Sequence, residues 1–225
     1  MENERGVDAN SVELTFETTD QSSFFVEASE RATCDVVGEE VIRRADGRLL
    51  EFLRIRDADP AEIAAVAADS STVERGRTVR RDGDEFLYKV VVSSDCVATT
   101  LADAEAVLKR ADATDGVGTV VVGVPPTTDV RTVVEAFVDA HDARLTAKRS
   151  GTALLSSPDR GMALPETLTE KQRRAVKTAF AEGYLSWPRT STAEECAASL
   201  GVSQPTFSQH LYLGLEKILT RFFES

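Results

Sequence analysis

The chain has 225 residues, 42% of them hydrophobic and 6% aromatic, and carries a net charge of −12. That is enough chain for one large or two small globular domains. No apolar run approaches the ~18 residues of a membrane span, and the charged start Met1-Glu-Asn-Glu-Arg with no apolar stretch behind it gives no sign of a secretion signal, so a cytoplasmic protein is expected.

The first predicted element is a strand at 12–17, where apolar and polar residues alternate. Residues 22–33 place Phe24, Phe25, Ala28 and Ala32 at helical spacing. Two strands, 36–44 and 49–56, are joined by a hairpin turn at Ala45-Asp46-Gly47. Asp59-Pro60-Ala61-Glu62 predicts a helix start, with Asp as cap and Pro in the first turn, and the helix runs to about 68. A weaker strand covers 72–80 and ends at Asp82-Gly83.

The same order then recurs. A Val-rich strand at 85–93 precedes a helix over 98–109 with Leu101, Ala104 and Leu108 on one face. A short strand at 110–113, a turn at Asp115-Gly116 and a strand at 119–124 follow, the last stopped by Pro125-Pro126. Thr128 is placed to cap a helix at 129–140, and 144–148 closes as a strand. Each half reads βαββαβ, which is the ferredoxin-like order. The expected fold is α+β: an N-terminal domain over 10–150 built of two ferredoxin-like βαββαβ units packed together, with a single mixed sheet as the alternative. Residues 151–164 read as a linker, because Ser156-Ser157-Pro158-Asp159-Arg160-Gly161 forms turns without periodicity.

Residues 165–225 predict an all-α domain. Thr169 and Gln172 form a capping box, and the helix behind them buries Ala175, Val176, Ala179 and Phe180. Tyr184 to Arg189 is an extended connector. Thr192 and Glu195 form a second capping box, opening a short helix to Leu200. Gly201 ends it, and Ser203 caps a final helix with Pro205 in its first turn. Cys196, Ala197 and Leu200 face Phe207 and Leu211 across the turn. Helix, short turn with Gly, and helix is the helix-turn-helix pattern of DNA-binding proteins. An ordinary αα-hairpin has the same outline. The final helix continues through Leu215, Ile218, Leu219 and Phe222, while Leu213 and Phe223 lie off its stripe and offer surface for pairing two chains.

Charge divides at the same place. Residues 168–225 hold seven Lys/Arg and six Asp/Glu, so the acidity lies in the first 167 residues. The chain has 20 Arg and only 6 Lys. Abundant Asp/Glu with little Lys suits a protein that must stay soluble in molar salt. Cys34, Cys96 and Cys196 are scattered, with no Cys-x-x-Cys, so buried thiols are expected in place of a disulfide or metal site. No cofactor fingerprint and no catalytic constellation is present, since Gly116-Val-Gly118 lacks the rest of a nucleotide motif.

Several residues together carry a resemblance. Leu168-Thr-Glu-Lys-Gln, Gly183-Tyr184, Trp187-Pro188-Arg189, Thr192-Ala-Glu-Glu, Gly201-Val-Ser, Thr206 and His210-Leu211 resemble the DNA-binding domain of the bacterioopsin-activator family, helix-turn-helix transcription regulators of halophilic archaea. The likeness covers about 164–223. Residues 11–150 are similar to the α+β domain that precedes it in many members. The resemblance implies a transcription regulator bound to double-stranded DNA, with a homodimer and the basal transcription machinery as further partners and no membrane. Many members carry Arg or Lys just after His-Leu, where this chain has Tyr212-Leu213-Gly214.

The recognition helix is expected at about 203–213, in the major groove. Its outward positions are Gln204, Pro205, Ser208, Gln209 and Tyr212. Gln can bind adenine N6/N7 in bidentate fashion, Ser can bond several bases, and Pro and Tyr can touch a thymine methyl. Thr206 is expected near the turn or on a phosphate, and His210 in a structural or phosphate-facing place. Lys171, Arg173, Arg174, Lys177 and Arg189 are the candidate phosphate ligands, with simple solubility as the other reading. The domain over 10–150 is expected to sense a signal or bind a partner, and a protein-interaction adaptor using a helix-turn-helix-like domain without strong DNA binding is the competing function.

Overall fold

The computed structural model describes residues 11–93, 96–150 and 168–223. The expected linker at 151–164 lies outside them. The elements are β1 (Val12–Thr18), α1 (Phe24–Arg31), β2 (Asp35–Arg43), β3 (Leu49–Arg56), α2 (Pro60–Asp69), β4 (Val73–Asp82), β5 (Glu85–Val92), α3 (Val97–Asp103), β6 (Val107–Thr114), β7 (Val117–Val124), α4 (Val130–His141), β8 (Ala143–Ser150), α5 (Glu170–Ala181), α6 (Ala193–Leu200) and α7 (Gln204–Phe223).

Local chemistry sets most of these boundaries. Asp59 accepts a hydrogen bond from the Ala61 amide at the head of α2, with Pro60 just inside. Hairpin turns fall at Gly47, Gly83 and Gly116, all with positive φ. Two boundaries differ from the expected ones. The helix expected over 98–109 stops at Asp103, because Glu105 takes a left-handed φ of 55° and Leu108 and Lys109 continue as strand. The cap of α4 is Asp129, whose carboxylate takes the Arg131 amide at 3.1 Å, and Thr128 belongs to the preceding turn.

The strands form one eight-stranded sheet in the order β4-β5-β3-β2-β6-β7-β1-β8. Every pairing is antiparallel. The βαββαβ order recurs as expected, but the strands do not make two sheets packed together. β1 lies between β7 and β8, and β5 lies between β4 and β3. Each half thus lends its first strand to the other. The halves join where β2 pairs β6 over Asp35–Val37. Gly38 sits at that seam, and a Cβ there would come within 2.9 Å of the Ala111 carbonyl oxygen.

Helices α1 to α4 cover one face and share a core with Phe16, Val36, Leu53, Ile55, Tyr88, Val90 and Val122. His141 closes the end of α4: Nδ1 is 2.9 Å from Asp20 Oδ2 and Nε2 is 2.8 Å from Thr100 Oγ1. On the opposite face the two half-sheets differ. The β4-β5-β3-β2 half shows Ile42, Leu50, Phe52 and Val91, and these pack on Ala175, Val176, Ala179, Cys196, Leu200, Phe207 and Leu211 of the helical domain. The β6-β7-β1-β8 half shows charged and polar residues there, including the Lys109–Glu13 pair at 2.8 Å. Burial on both faces explains why β5 reads as a nearly unbroken apolar run.

Candidate nucleic-acid interface

The three C-terminal helices form by the chemistry the sequence advertises. Both capping boxes are present, Thr169 with Gln172 and Thr192 with Glu195. Gly201 ends α6 at a φ of 69°, and its amide bonds the Ala198 carbonyl at 3.2 Å. Ser203 Oγ takes the Thr206 amide and lies 2.8 Å from Thr206 Oγ1, so Thr206 is part of the cap that starts α7. Phe207 and Leu211 are buried against α6, and Gly214 sits where α7 crosses α5, with room for no Cβ beside Val176. Gly214 is therefore a packing residue, which accounts for one of the three positions that break the basic pattern after His210-Leu211.

The connector has its own logic. Gly183 has a φ of 70°. Its carbonyl takes the Thr190 amide at 3.2 Å, and Thr190 Oγ1 bonds the Glu182 carbonyl at 2.9 Å. This closes residues 183–190 into a loop. Tyr184 packs edge-on against Phe207 of α7 at 6.0 Å, and the Arg189 guanidinium lies 4.5 Å over the Tyr184 ring. Arg189 is held beside the start of α7 by that stack.

The remaining candidates fall into two groups. Gln204, Pro205, Gln209 and Tyr212 are exposed along α7, and Ser208 is half-buried between them. Lys171 is exposed and Arg173 half-buried on α5, and Phe180, expected in the core, is exposed because it falls off the face that Ala175, Val176 and Ala179 turn inward. Arg174 and Lys177, expected among the phosphate ligands, turn instead to the sheet. Arg174 donates to the Arg43 carbonyl at 2.6 Å, and Lys177 Nζ is 2.9 Å from Glu40 Oε1. Their geometry makes them fasteners between domains, a role that depends on a partner far away in sequence.

Other fasteners join residues that lie far apart in the sequence. The last carbonyls of α6 are gripped by the sheet domain. Arg44 donates to Ala198 and Ser199, the Ala45 amide to Leu200 at 3.0 Å, and Arg75 to Ala198 at 3.2 Å. Lys89 Nζ reaches both Glu182 Oε2 and Ser199 Oγ at 2.6 Å. Burial lowers the Lys89 pKa, and Glu182 works against that shift. One signal was visible: Lys89 interrupts the apolar run Phe86 to Val92, and a lone Lys there needs a buried partner. Burial also pushes the Cys196 thiol up to about 11, so it is an inert packing group.

These features define a helix-turn-helix protein whose reading head is seated on an antiparallel sheet. Comparison with known proteins gives the family. Residues 10–159 match the BAT profile, described as the GAF and HTH_10 associated domain, and 168–220 match HTH_10, the HTH DNA-binding domain. The chain belongs to the bacterioopsin-activator family, which joins these two domains. It is 31% identical over 215 residues, 95% of its length, to a putative transcriptional regulator of Haloferax volcanii. It is 24% identical over 212 residues to the bacterioopsin transcriptional activator of Halobacterium salinarum, and 26% identical over 171 residues to the transcriptional regulator NarO of Haloferax volcanii. The chain spans 37% and 31% of the first two relatives and 79% of the third.

Proposed function

We propose that this protein is a sequence-specific DNA-binding transcription regulator of a salt-loving archaeon, acting in the cytoplasm. The observation that carries the reading is the exposed polar face of α7, set at the end of a turn fixed by Gly201 and Ser203. Gln204, Pro205, Ser208, Gln209 and Tyr212 read bases in the major groove. Lys171, Arg173 and Arg189 hold phosphates, and Thr206 orders the helix start. With so few cations, specificity rests on base contacts and on pairing of two chains, since phosphate affinity falls steeply with salt. Exposed Leu213 and Leu219 on α7 support a homodimer. Phe180, Leu185 and Trp187 are exposed on α5 and the connector and supply apolar surface for the basal transcription machinery.

The N-terminal domain fits a duplicated ferredoxin-like βαββαβ unit whose first strands have been exchanged. In each half-sheet, restoring the borrowed strand gives the order fourth-first-third-second. We assign this domain to signal reception, with partner binding as the other role, because it grips α6, the first helix of the helix-turn-helix. The test is genome-wide chromatin occupancy of the tagged protein beside a Gln204→Ala/Gln209→Ala double variant. Discrete peaks that vanish in the variant support the reading. A flat profile, or peaks unchanged in the variant, overturns it.

A further inference from the structure

We propose that the cleft between the edge of the sheet and α6 is a binding site for a small multivalent anion, a metabolite bearing two or more carboxylate or phosphate groups. The proposal rests on the reading of the N-terminal domain as a signal receiver and names the class of signal.

The cleft has a volume of about 230 Å³ and is lined by Arg75, Gly76, Arg77, Lys89 and Val91 from β4 and β5, and by Glu195, Ala198 and Ser199 from α6. This is just below the roughly 300–1,000 Å³ typical of small-molecule sites, so it suits a compact metabolite. Its wall is cationic on a strongly acidic chain. Arg77 and Lys89 stand directly opposite one another in the β4–β5 pairing, and Arg75 is two residues along the same strand. Glu182 bridges that opposed pair and Glu195 stands near Arg77, so the three cations of the wall meet two carboxylates.

The carboxylates at hand are already engaged. Glu182 lies fully enclosed and holds Lys89 at 2.6 Å, reaching Arg77 only at 3.4 Å. Glu195 takes the Thr192 amide at 2.8 Å in its capping box and stands 3.9 Å from Arg77. Arg75 is exposed and donates to the Ala198 carbonyl at 3.2 Å, one acceptor for a group with five N–H donors. The Arg75 and Arg77 guanidiniums both line the cleft, and such forks match carboxylate or phosphate oxygens, which accept paired N–H bonds. In molar salt the Debye length shrinks to ~3 Å, so a singly charged ion gains little and a ligand must engage both forks at short range.

The site touches the reading head directly. Arg75 now holds the last turn of α6, and Ser199 lies on the cleft wall. An anion that draws on Arg75 shares the group that clasps α6, so occupancy changes how the helix-turn-helix is seated.

The experiment is isothermal titration of the full chain, without DNA, using inorganic phosphate and citrate at low and molar KCl. The expected result is saturable one-to-one binding of at least one probe, weakened about tenfold or more by Arg75→Gln and lost in Arg75→Gln/Arg77→Gln. Arg131→Gln, a surface change on α4, leaves it unaltered. Thermal melts of each variant confirm that it is folded. No saturable heat at millimolar probe overturns the proposal, as does binding that Arg75→Gln leaves intact or that Arg131→Gln weakens equally. Cleft variants that reduce only the salt slope of DNA binding, with no free anion bound, assign the cations to the DNA backbone and also overturn it. Loss of DNA binding in the Gln204/Gln209 variant leaves the anion titration unchanged, so the two readings fail separately.

Discussion

Lys89 Nζ and Glu182 Oε2 meet at 2.6 Å between the sheet and the helical domain, and neither side chain is more than a tenth exposed. The pair ties β5 to the end of α5. Removing one partner strands a buried charge, which typically costs ~3–5 kcal/mol. Glu182→Ala is expected to destabilise the chain by about that amount in equilibrium unfolding at fixed salt. The double change Lys89→Met/Glu182→Leu should recover most of the loss. A double variant as unstable as the single would show that the pair is needed for more than charge balance.

The linked elements were unequally legible in the sequence. Capping boxes, the Asp59-Pro60 start and Gly201 are local signals, written within a few residues, and each falls where it was expected. The helix-turn-helix was legible because Phe207 and Leu211 must meet Cys196, Ala197 and Leu200. The end of α3 is hidden in the sequence because Leu108 continues the apolar spacing of Leu101 and Ala104 while the chain has already turned at Glu105. The exchange of β1 and β5 was invisible for a different reason. Element order is identical whether each first strand stays home or crosses, and only long-range pairing distinguishes the two. The same holds for Arg174 and Lys177, whose partners Arg43 and Glu40 lie more than a hundred residues away.

Glu51 gives a pH prediction. Burial pushes its carboxyl up to about 7, beside Cys96 under α1. Unfolded, it ionises near 4.5. Between those values the folded protein holds the extra proton, so this group's contribution is fullest below about 4.5 and declines as pH rises through about 7. Glu51→Gln should therefore flatten the stability profile over this range and raise stability at pH 8 by up to a few kcal/mol, of order 3. Urea unfolding of both proteins across that range checks it. An unchanged slope in the variant would exclude Glu51 as the titrating group.

Gly201 is expected to tolerate little. A side chain at its φ of 69° is strained, and a Cβ would lie 3.3 Å from an Arg44 nitrogen. Gly201→Ala should cost about 1–2 kcal/mol, seen as a lower melting temperature. Because Arg44 also holds the α6 carbonyls, hydrogen exchange of α6 amides and overall unfolding should shift together.

Arg189 and Gln209 separate two kinds of contact. Arg189→Ala should weaken binding to all duplexes alike and reduce the salt slope by about 1. Gln209→Ala should leave the slope alone and cost ~1–3 kcal/mol on the specific site only. Titrations at several salt concentrations against specific and random duplexes tell them apart. Equal loss on both duplexes from Gln209→Ala would remove it from the base-reading set.

The crossed position of β1 has a consequence for how the protein is made. Thr18 leaves the ribosome about a hundred residues before Val117 opens the first strand that can pair with it, and β8 comes later still. At ~5–20 residues per second the nascent β1 waits on the order of 5–20 s with no neighbour. Meanwhile β2, β3, β4 and β5 can assemble in order of emergence. The first strand of this sheet is thus among the last to settle, and the chain's own clock decides when the two halves become one sheet.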